Sequence, residues 1–158
     1  MRQGHIFLFF SISSLIFIAS CKPDYIYNKS IAINKGIWTY SDTLNYEFSI
    51  EDTIGYFELF LSINHSPEFK NQNLYSRIYT AFPDGTEAID TISLELTDKF
   101  GSWLGNCSNS SCNLDLLLKS KTQFRNVGNY KIRLEQYNRI DSLKGINSIG
   151  FMIAETKD

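Results

Sequence analysis

The chain has 158 residues, a length that supports one compact domain with a sizeable core and would be crowded for two. Its 15 Lys and Arg residues against 17 Asp and Glu residues give a formal net charge of −2. These charges are spread along the chain, which excludes the basic patch of a nucleic-acid-binding protein. Many aromatic residues, with Asn and Ser between them, are typical of strands joined by polar turns.

Residues 1–20 have the pattern of a secretory signal peptide that ends in a lipobox. Arg2 is a small positive region, residues 6–17 are apolar, and two small residues stand directly before Cys21. A transmembrane anchor is the first alternative, but the apolar run is short of the ~20 residues that a spanning helix needs. The other is a buried N-terminal strand with an ordinary core cysteine. We predict cleavage before Cys21 and attachment of diacylglycerol to its thiol.

A lipobox indicates the envelope of a bacterium. Lys22, rather than an acidic residue, follows Cys21, and this favours the outer membrane over the inner membrane while leaving the leaflet open. Residues 21–30 combine a proline with polar side chains and are predicted to form a short lipidated tether. The rest of the chain, residues 31–158, is predicted to be a single domain.

The domain shows the period-two alternation of apolar and polar residues that predicts half-buried strands. Such strands are expected at residues 44–50, 57–63, 74–80, 92–96, 130–136 and 149–154, after a first edge strand at residues 31–40 with Trp38 as its buried anchor. A turn at residues 51–55 predicts that the strands on either side of it form a hairpin. Residues 114–118 fit a strand or a helical turn. One apolar face per strand predicts an all-β fold, an antiparallel β-sandwich of jelly-roll type.

Cys107 and Cys112 are an even pair of cysteines in an exported domain. A disulfide between them is the natural inference, and so small a ring contributes roughly 2 kcal/mol. A zinc site is the alternative, but the mature chain offers no further cysteine and His65 is its only histidine. We therefore expect no metal site and no other cofactor.

The sequence makes no case for an enzyme. A hydrolase triad would have to use His65, yet no Gly-x-Ser-x-Gly elbow accompanies it, and we predict a solvated loop histidine. The carboxylates form no recognisable glycosidase pair, and residues 101–105 lack the lysine of a phosphate loop. Trp103, which lies between glycines, is a candidate contact for a sugar or a partner protein. A core residue that closes one end of the sandwich is an equal alternative for it.

A series of short motifs follows the lipobox along the mature chain. They are Trp38, Asn73-Leu74-Tyr75, Pro83-Asp84-Gly85 with Asp90-Thr91, Gly101-x-Trp103-Leu104-Gly105, Phe124, Gly128-Asn129-Tyr130, the segment 135–139, Leu143-x-Gly145-Ile146 and Ile149-Gly150. In this order they resemble the GldH family of gliding motility lipoproteins in Bacteroidetes. The resemblance implies a non-enzymatic outer-membrane lipoprotein that works beside other envelope proteins of a gliding and type IX secretion apparatus.

From the lipobox and the spread of charges we also expect contact with the membrane through the N-terminal lipid and no nucleic-acid partner, and we expect no small-molecule substrate. The alternative function is that of a carbohydrate-binding surface lipoprotein, which would use Trp103. A hydrolase that uses His65 is a distant third hypothesis.

Four tripeptides resemble the Asp-Ser/Thr-apolar acceptor of the O-glycosylation system known in Bacteroidetes. The candidate acceptor residues are Thr43, Thr53, Thr91 and Ser142. The alternative is that these are ordinary turn dipeptides, because Asp, Ser and Thr side chains readily bond to nearby backbone groups. We predict that at least one of the four carries a glycan.

Overall fold

Alternating burial defines the strands of this protein, which a computed structural model describes over residues 24–156. In residues 44–50 every second side chain, beginning with Leu44, is buried, and the three between them are exposed. Such a strand can bury one face only against a second sheet. Within the described residues no helix is long and apolar enough to span a membrane.

The strands are β1 (Tyr25–Ala32), β2 (Ile37–Trp38), β3 (Leu44–Ile50), β4 (Phe57–His65), β5 (Asn73–Ala81), β6 (Glu87–Glu95), β7 (Asn106–Cys107), β8 (Cys112–Thr122), β9 (Gly128–Gln136), β10 (Leu143–Lys144) and β11 (Ile146–Glu155). A 3-10 turn, Asn34–Gly36, follows β1.

The strands form two antiparallel sheets that pack face to face. One sheet has the order β1-β11-β4-β8-β7, the other has the order β3-β9-β5-β6, and β2 pairs with β10 in a small ribbon. Apart from the hairpin β5–β6, consecutive long strands alternate between the sheets, which gives the strand order of a jelly roll. The predicted antiparallel, jelly-roll-like sandwich is therefore confirmed.

The aromatic core joins the two sheets. Phe48 of β3 stacks on Tyr130 with 5.5 Å between ring centroids, and it also contacts Phe151 of the opposite sheet at 5.9 Å. The buried hydroxyl of Tyr46 donates a hydrogen bond of 2.8 Å to the backbone oxygen of Ile149 across the sandwich. Burial raises the pKa of this phenol, so it stays a donor. The described residues thus contain one continuous core.

Several details of the predicted organisation are corrected. β1 begins at Tyr25 and pairs with β11, so residues 25–30 belong to the sheet and not to a tether. The predicted hairpin of residues 44–50 and 57–63 is wrong, because β3 pairs with β9 whereas β4 pairs with β8 and β11. Residues 114–118 lie in strand β8. Trp38 is fully buried, as predicted, but it lies in the two-residue strand β2.

The sandwich has two ends that differ in what they contain. Glu155, Phe57 and Thr122 pair along one row at one end of the sheet, and Tyr25 pairs with Ala154 beside that row. We call this the proximal end, because the N-terminal segment enters there, and it also holds residues 51–56, 82–86 and 123–127. The other end, the distal end, holds residues 39–43, 66–72, 96–111 and 137–142.

Gly105 allows the connection between β6 and β7 to pack closely on β8. Its φ is +80°, and a Cβ atom placed there would overlap the backbone oxygen of Asn113. Gly85 has nearly the same φ, +83°, but a Cβ atom there has no neighbour within 4 Å. The two glycines therefore differ in steric contact and not in backbone conformation.

We predict that Gly105→Ala destabilises the fold more than Gly85→Ala does. Both variants suffer the left-handed backbone penalty of ~1 kcal/mol, and only Gly105→Ala adds a clash with β8. The expected difference in the free energy of unfolding is ~2 kcal/mol, measured by urea denaturation of the disulfide-intact protein. Equal losses in the two variants would show that this close packing is absent.

Candidate functional site

A groove at the distal end is lined by polar and aromatic side chains. It has a volume of about 1270 Å³ and lies where β5, the segment after β9 and the loop before β3 meet. Its lining includes Tyr40, Gln72, Asn73, Tyr75, Tyr137 and Ile140. The three tyrosines and Ile140 are between 44% and 54% exposed. Each side chain therefore packs partly against the protein and leaves about half of its surface accessible.

Buried Gln136 fixes the loop that follows β9. Its amide nitrogen donates to the backbone oxygens of Ile140 at 3.0 Å and Asp141 at 2.7 Å. Its amide oxygen accepts a hydrogen bond of 3.0 Å from the backbone nitrogen of Asn138. A satisfied buried amide of this kind holds the loop in one conformation.

The groove's tyrosines are held by contacts with neighbouring segments. The Tyr40 hydroxyl donates to the backbone oxygen of Asn138 at 2.6 Å, and the Tyr137 backbone nitrogen donates to the Tyr75 oxygen at 2.8 Å. The guanidinium carbon of Arg77 lies 4.1 Å from the centroid of the Tyr137 ring, a cation–π contact. The groove is therefore already formed before any partner arrives.

His65 and Trp103 form a packed cluster beside the distal loops. His65 is fully buried at the end of β4, and the ring centroids of the two residues are 4.5 Å apart. The Trp103 indole N–H donates to the backbone oxygen of Pro67 at 3.1 Å, which ties two loops together. The prediction of a solvated loop histidine is wrong. For Trp103 the packing favours the interpretation as a core residue that closes one end.

The His65 ring offers little to catalysis. Its Nδ1 lies 2.9 Å from the backbone oxygen of Ser66, and its buried Nε2 has no hydrogen-bond partner among the described residues. Burial lowers the pKa of His65, although the Ser66 oxygen acts in the opposite direction. Within residues 24–156 no three His, Cys, Asp or Glu side chains are grouped as metal ligands would be.

Cys107 and Cys112 are joined by a disulfide that ties β7 to the start of β8, with 4.0 Å between their Cα atoms. Next to it, three asparagines form a row across adjacent strands. Asn147 donates to Asn64 at 2.7 Å, and Asn64 donates to Asn113 at 2.6 Å.

Neither this row of asparagines nor the distal groove was predicted from the sequence. The alternation of Tyr75, Arg77 and Tyr79 on the outward face of β5 was the available signal for the groove.

The family comparison covers nearly the whole sandwich. Residues 25–153 match the model of a family described as GldH lipoprotein, from the first residue of β1 almost to the end of β11. The chain belongs to the GldH lipoprotein family. Membership of the GldH lipoprotein family implies a lipid-anchored protein of the bacterial cell envelope.

Two relatives are similar along most of their length. "Gliding motility lipoprotein GldH homolog" of Christiangramia forsetii is 26% identical over 156 residues, which cover 94% of this chain and 95% of that protein. "Gliding motility lipoprotein GldH" of Flavobacterium johnsoniae is 22% identical over 150 residues, which cover 90% and 92%. Both are named as GldH lipoproteins of gliding motility and not as enzymes.

Similarity to solved structures is weak. The structure of infectious bursal disease virus, Gx strain, aligns with a TM-score of 0.40 and 11% identity over 85% of this chain and 32% of the viral chain. "Xyl-CBM35 in complex with glucuronic acid containing disaccharide" aligns with a TM-score of 0.32 and 14% identity over 88% of this chain and 96% of that one. Scores this low carry no argument about a ligand or a partner.

The candidate O-glycosylation residues of this GldH family member occupy different environments. Thr43 and Ser142 are exposed in distal loops, and Thr53 is half-buried in the proximal loop between β3 and β4. Thr91 is exposed in the middle of β6 and lines the groove. Glycosylation at these positions stays a prediction, as does acylation of Cys21, which lies outside the described residues.

We predict that the folded protein loses stability as the pH falls below 6.5. The unfolded chain protonates His65 near its ordinary pKa of 6.5, whereas burial lowers the pKa of the folded state. The unfolded state therefore binds more protons below pH 6.5, and stability declines as the pH falls towards the folded pKa. In the native chain, the urea midpoint measured at pH ~5.5 should therefore be lower than the midpoint measured at pH ~7.5.

His65→Leu provides the control for this pH dependence. The variant removes the titrating group, so its two urea midpoints should lie closer together whatever its stability at neutral pH. An unchanged difference between the two midpoints in His65→Leu would assign the pH dependence to carboxylates instead.

Proposed function

We propose that this GldH family member is an outer-membrane lipoprotein, acylated at Cys21, that acts through protein–protein contacts in the gliding and type IX secretion apparatus. Support comes from three sources: the family and the names of its relatives, the lipobox before Cys21, and the preformed tyrosine groove. The groove is the single observation that carries the proposal of a protein partner.

The described chain enters the sandwich at the end opposite to the groove. Cys21 precedes Tyr25 by four residues, a span of ~14 Å at full extension. Since β1 starts at the proximal end, an acylated Cys21 keeps that end close to the bilayer. Strands of nine residues such as β5 are ~30 Å long, so the distal groove would lie about that far from the membrane. A partner of another envelope layer could reach it there.

The composition of the groove suits protein recognition. Tyrosine and arginine are enriched among the residues that dominate interface energies, and tyrosine supplies contact area with few rotatable bonds. Tyr137 stacked on Arg77 and Tyr40 bonded to Asn138 are already ordered in the free protein. Binding would therefore cost less side-chain entropy than a surface of long flexible residues would.

The carbohydrate-binding alternative has no specific support at Trp103. The indole N–H is engaged by Pro67, and the ring packs against His65 and Phe69. A sugar-stacking platform needs an open ring face, so we do not propose this function for Trp103.

We predict that the double variant Tyr75→Ala/Tyr137→Ala abolishes spreading and protein secretion when it replaces the native gene in its host. Both side chains are about half exposed, so their truncation should leave the fold intact while it removes the centre of the groove. Colony spreading and the secreted protein fraction measure the effect, and immunoblots verify normal abundance.

Ile89→Ala is the matched control. Ile89 is 60% exposed on the outward face of β6 in the same sheet but does not line the groove, and its truncation should be silent. Cys21→Ala, tested by palmitate labelling, separately checks the anchor. Normal spreading and secretion in the groove variant would refute the proposed partner site, even if Cys21 proves to be acylated.

A further inference from the structure

The edge of the sandwich formed by β6 and β8 is closed along only half of its length. In the distal half, the connection between β6 and β7 crosses from one sheet to the other. The backbone nitrogen of Leu104 donates to the Leu96 oxygen at 2.9 Å, Thr97 bridges to Trp103, and β7 pairs with the start of β8. Within residues 24–156 nothing comparable covers the proximal half, and a cleft of about 580 Å³ opens there between the sheets.

The cleft is apolar in its depth. Its floor is made by Phe48, Tyr130 and Phe151, which belong to the buried core. Its walls carry six further apolar side chains that are only half-buried: Leu59, Leu118 and Phe124 on one side, and Ile78, Phe82 and Ile92 on the other. A volume in the range of ~300–1,000 Å³ with such a lining is typical of small-molecule sites.

The mouth of the cleft carries charges of both signs. Lys119 pairs with inward-facing Leu59, and Arg125 lies on the same side. Asp90 pairs with inward-facing Ile78 on the opposite side. Neither cation forms an ion pair within the described part of the chain, in which the ion pairs are Lys131–Glu47 and Arg133–Glu135.

Asp84 also lies at the mouth, but its carboxylate is already occupied. It accepts hydrogen bonds from the hydroxyl of Thr86 at 2.6 Å and from the side-chain amide of Asn126 at 3.2 Å. Asp90, Lys119 and Arg125 are therefore the charges left for a ligand. Inward-facing charges on edge strands also prevent pairing with other chains, and that role is the competing explanation for Lys119 and Asp90.

We propose that this cleft binds the acyl chain of a lipid with a zwitterionic head group. The acyl chain of the lipid would pack against the apolar walls of the cleft. The phosphate of the head group would contact Lys119 and Arg125, and its ammonium group would contact Asp90. An apolar interior below a mouth that carries charges of both signs matches both parts of such a lipid, its acyl chain and its head group. The proposal requires the cleft alone, and it holds or fails independently of the groove and of acylation at Cys21.

The test measures binding of a lysophosphatidylethanolamine with a fluorescent acyl chain to the mature chain carrying Cys21→Ser. Residues 24–156 contain the whole sandwich and its core, so this soluble form keeps the fold, which circular dichroism checks. We expect saturable binding. Ala88→Trp, which fills the cleft from β6, should weaken binding at least about tenfold, or ~1.4 kcal/mol.

Ser93→Trp is the matched control for Ala88→Trp, because Ser93 lies on the outward face of the same strand and does not line the cleft. It should bind like the native sequence. Lys119→Glu should weaken binding severalfold, whereas Lys121→Glu, on the same strand but outside the cleft, should not. Unlabelled lysophosphatidylethanolamine should displace the probe more effectively than a fatty acid of equal chain length.

Four results would overturn the proposal. Absence of saturable binding would remove the site, and equal effects of Ala88→Trp and Ser93→Trp would place the lipid elsewhere. Equal binding by Lys119→Glu and Lys121→Glu, or better displacement by the fatty acid, would reject the zwitterionic head and leave Lys119 as a protector of the strand edge.

Discussion

The contact between the two sheets through the aromatic cluster around Phe48 is the interaction on which the rest of the structure depends. Phe48 lies within 6 Å of Tyr27, Phe124, Tyr130 and Phe151, measured between ring centroids. These rings come from both sheets and from the loop after β8. Each sheet has one apolar face, and neither could leave that face in water, so this cluster holds together everything that the two ends display.

The same cluster explains where the two candidate sites lie. At the distal end, long connections fold over the sandwich and bring tyrosines from three segments into one groove. Toward the proximal end, no connection covers the edge between β6 and β8 in residues 24–156, and the cluster itself becomes the floor of a cleft. The jelly-roll order therefore separates a polar, aromatic surface far from the chain entry from an apolar recess nearer to it.

Local patterns made the fold class predictable. Alternation within residues 44–50 and 130–136 reports burial on one face, which any antiparallel sandwich requires. The pairing of strands that are distant in sequence leaves no comparable pattern in the sequence. The turn at residues 51–55 wrongly indicated a hairpin, because it joins two strands that belong to different sheets. Residues 21–30 are predicted as a tether because a proline and polar side chains stand there, yet residues 25–30 pair with the distant strand β11.

The candidate sites were less predictable than the fold. His65 stands among Asn, Ser and Pro residues that are typical of loops, yet the distal loops bury it completely. Tyr40, Tyr75 and Tyr137 are far apart in sequence, and only the sheet order brings them together. Both failures have one physical cause, which is that burial and proximity here depend on long-range pairing and not on the neighbouring residues.

Photo-crosslinking in intact cells of the native host tests most directly the claim that the distal end meets protein partners while the proximal end faces the membrane. A photoreactive residue at Ile140 in the groove should give discrete protein adducts. The same residue at Ile54, which is 82% exposed at the proximal end, should give none. Protein adducts from Ile54 together with none from Ile140 would contradict the orientation and the proposed partner site.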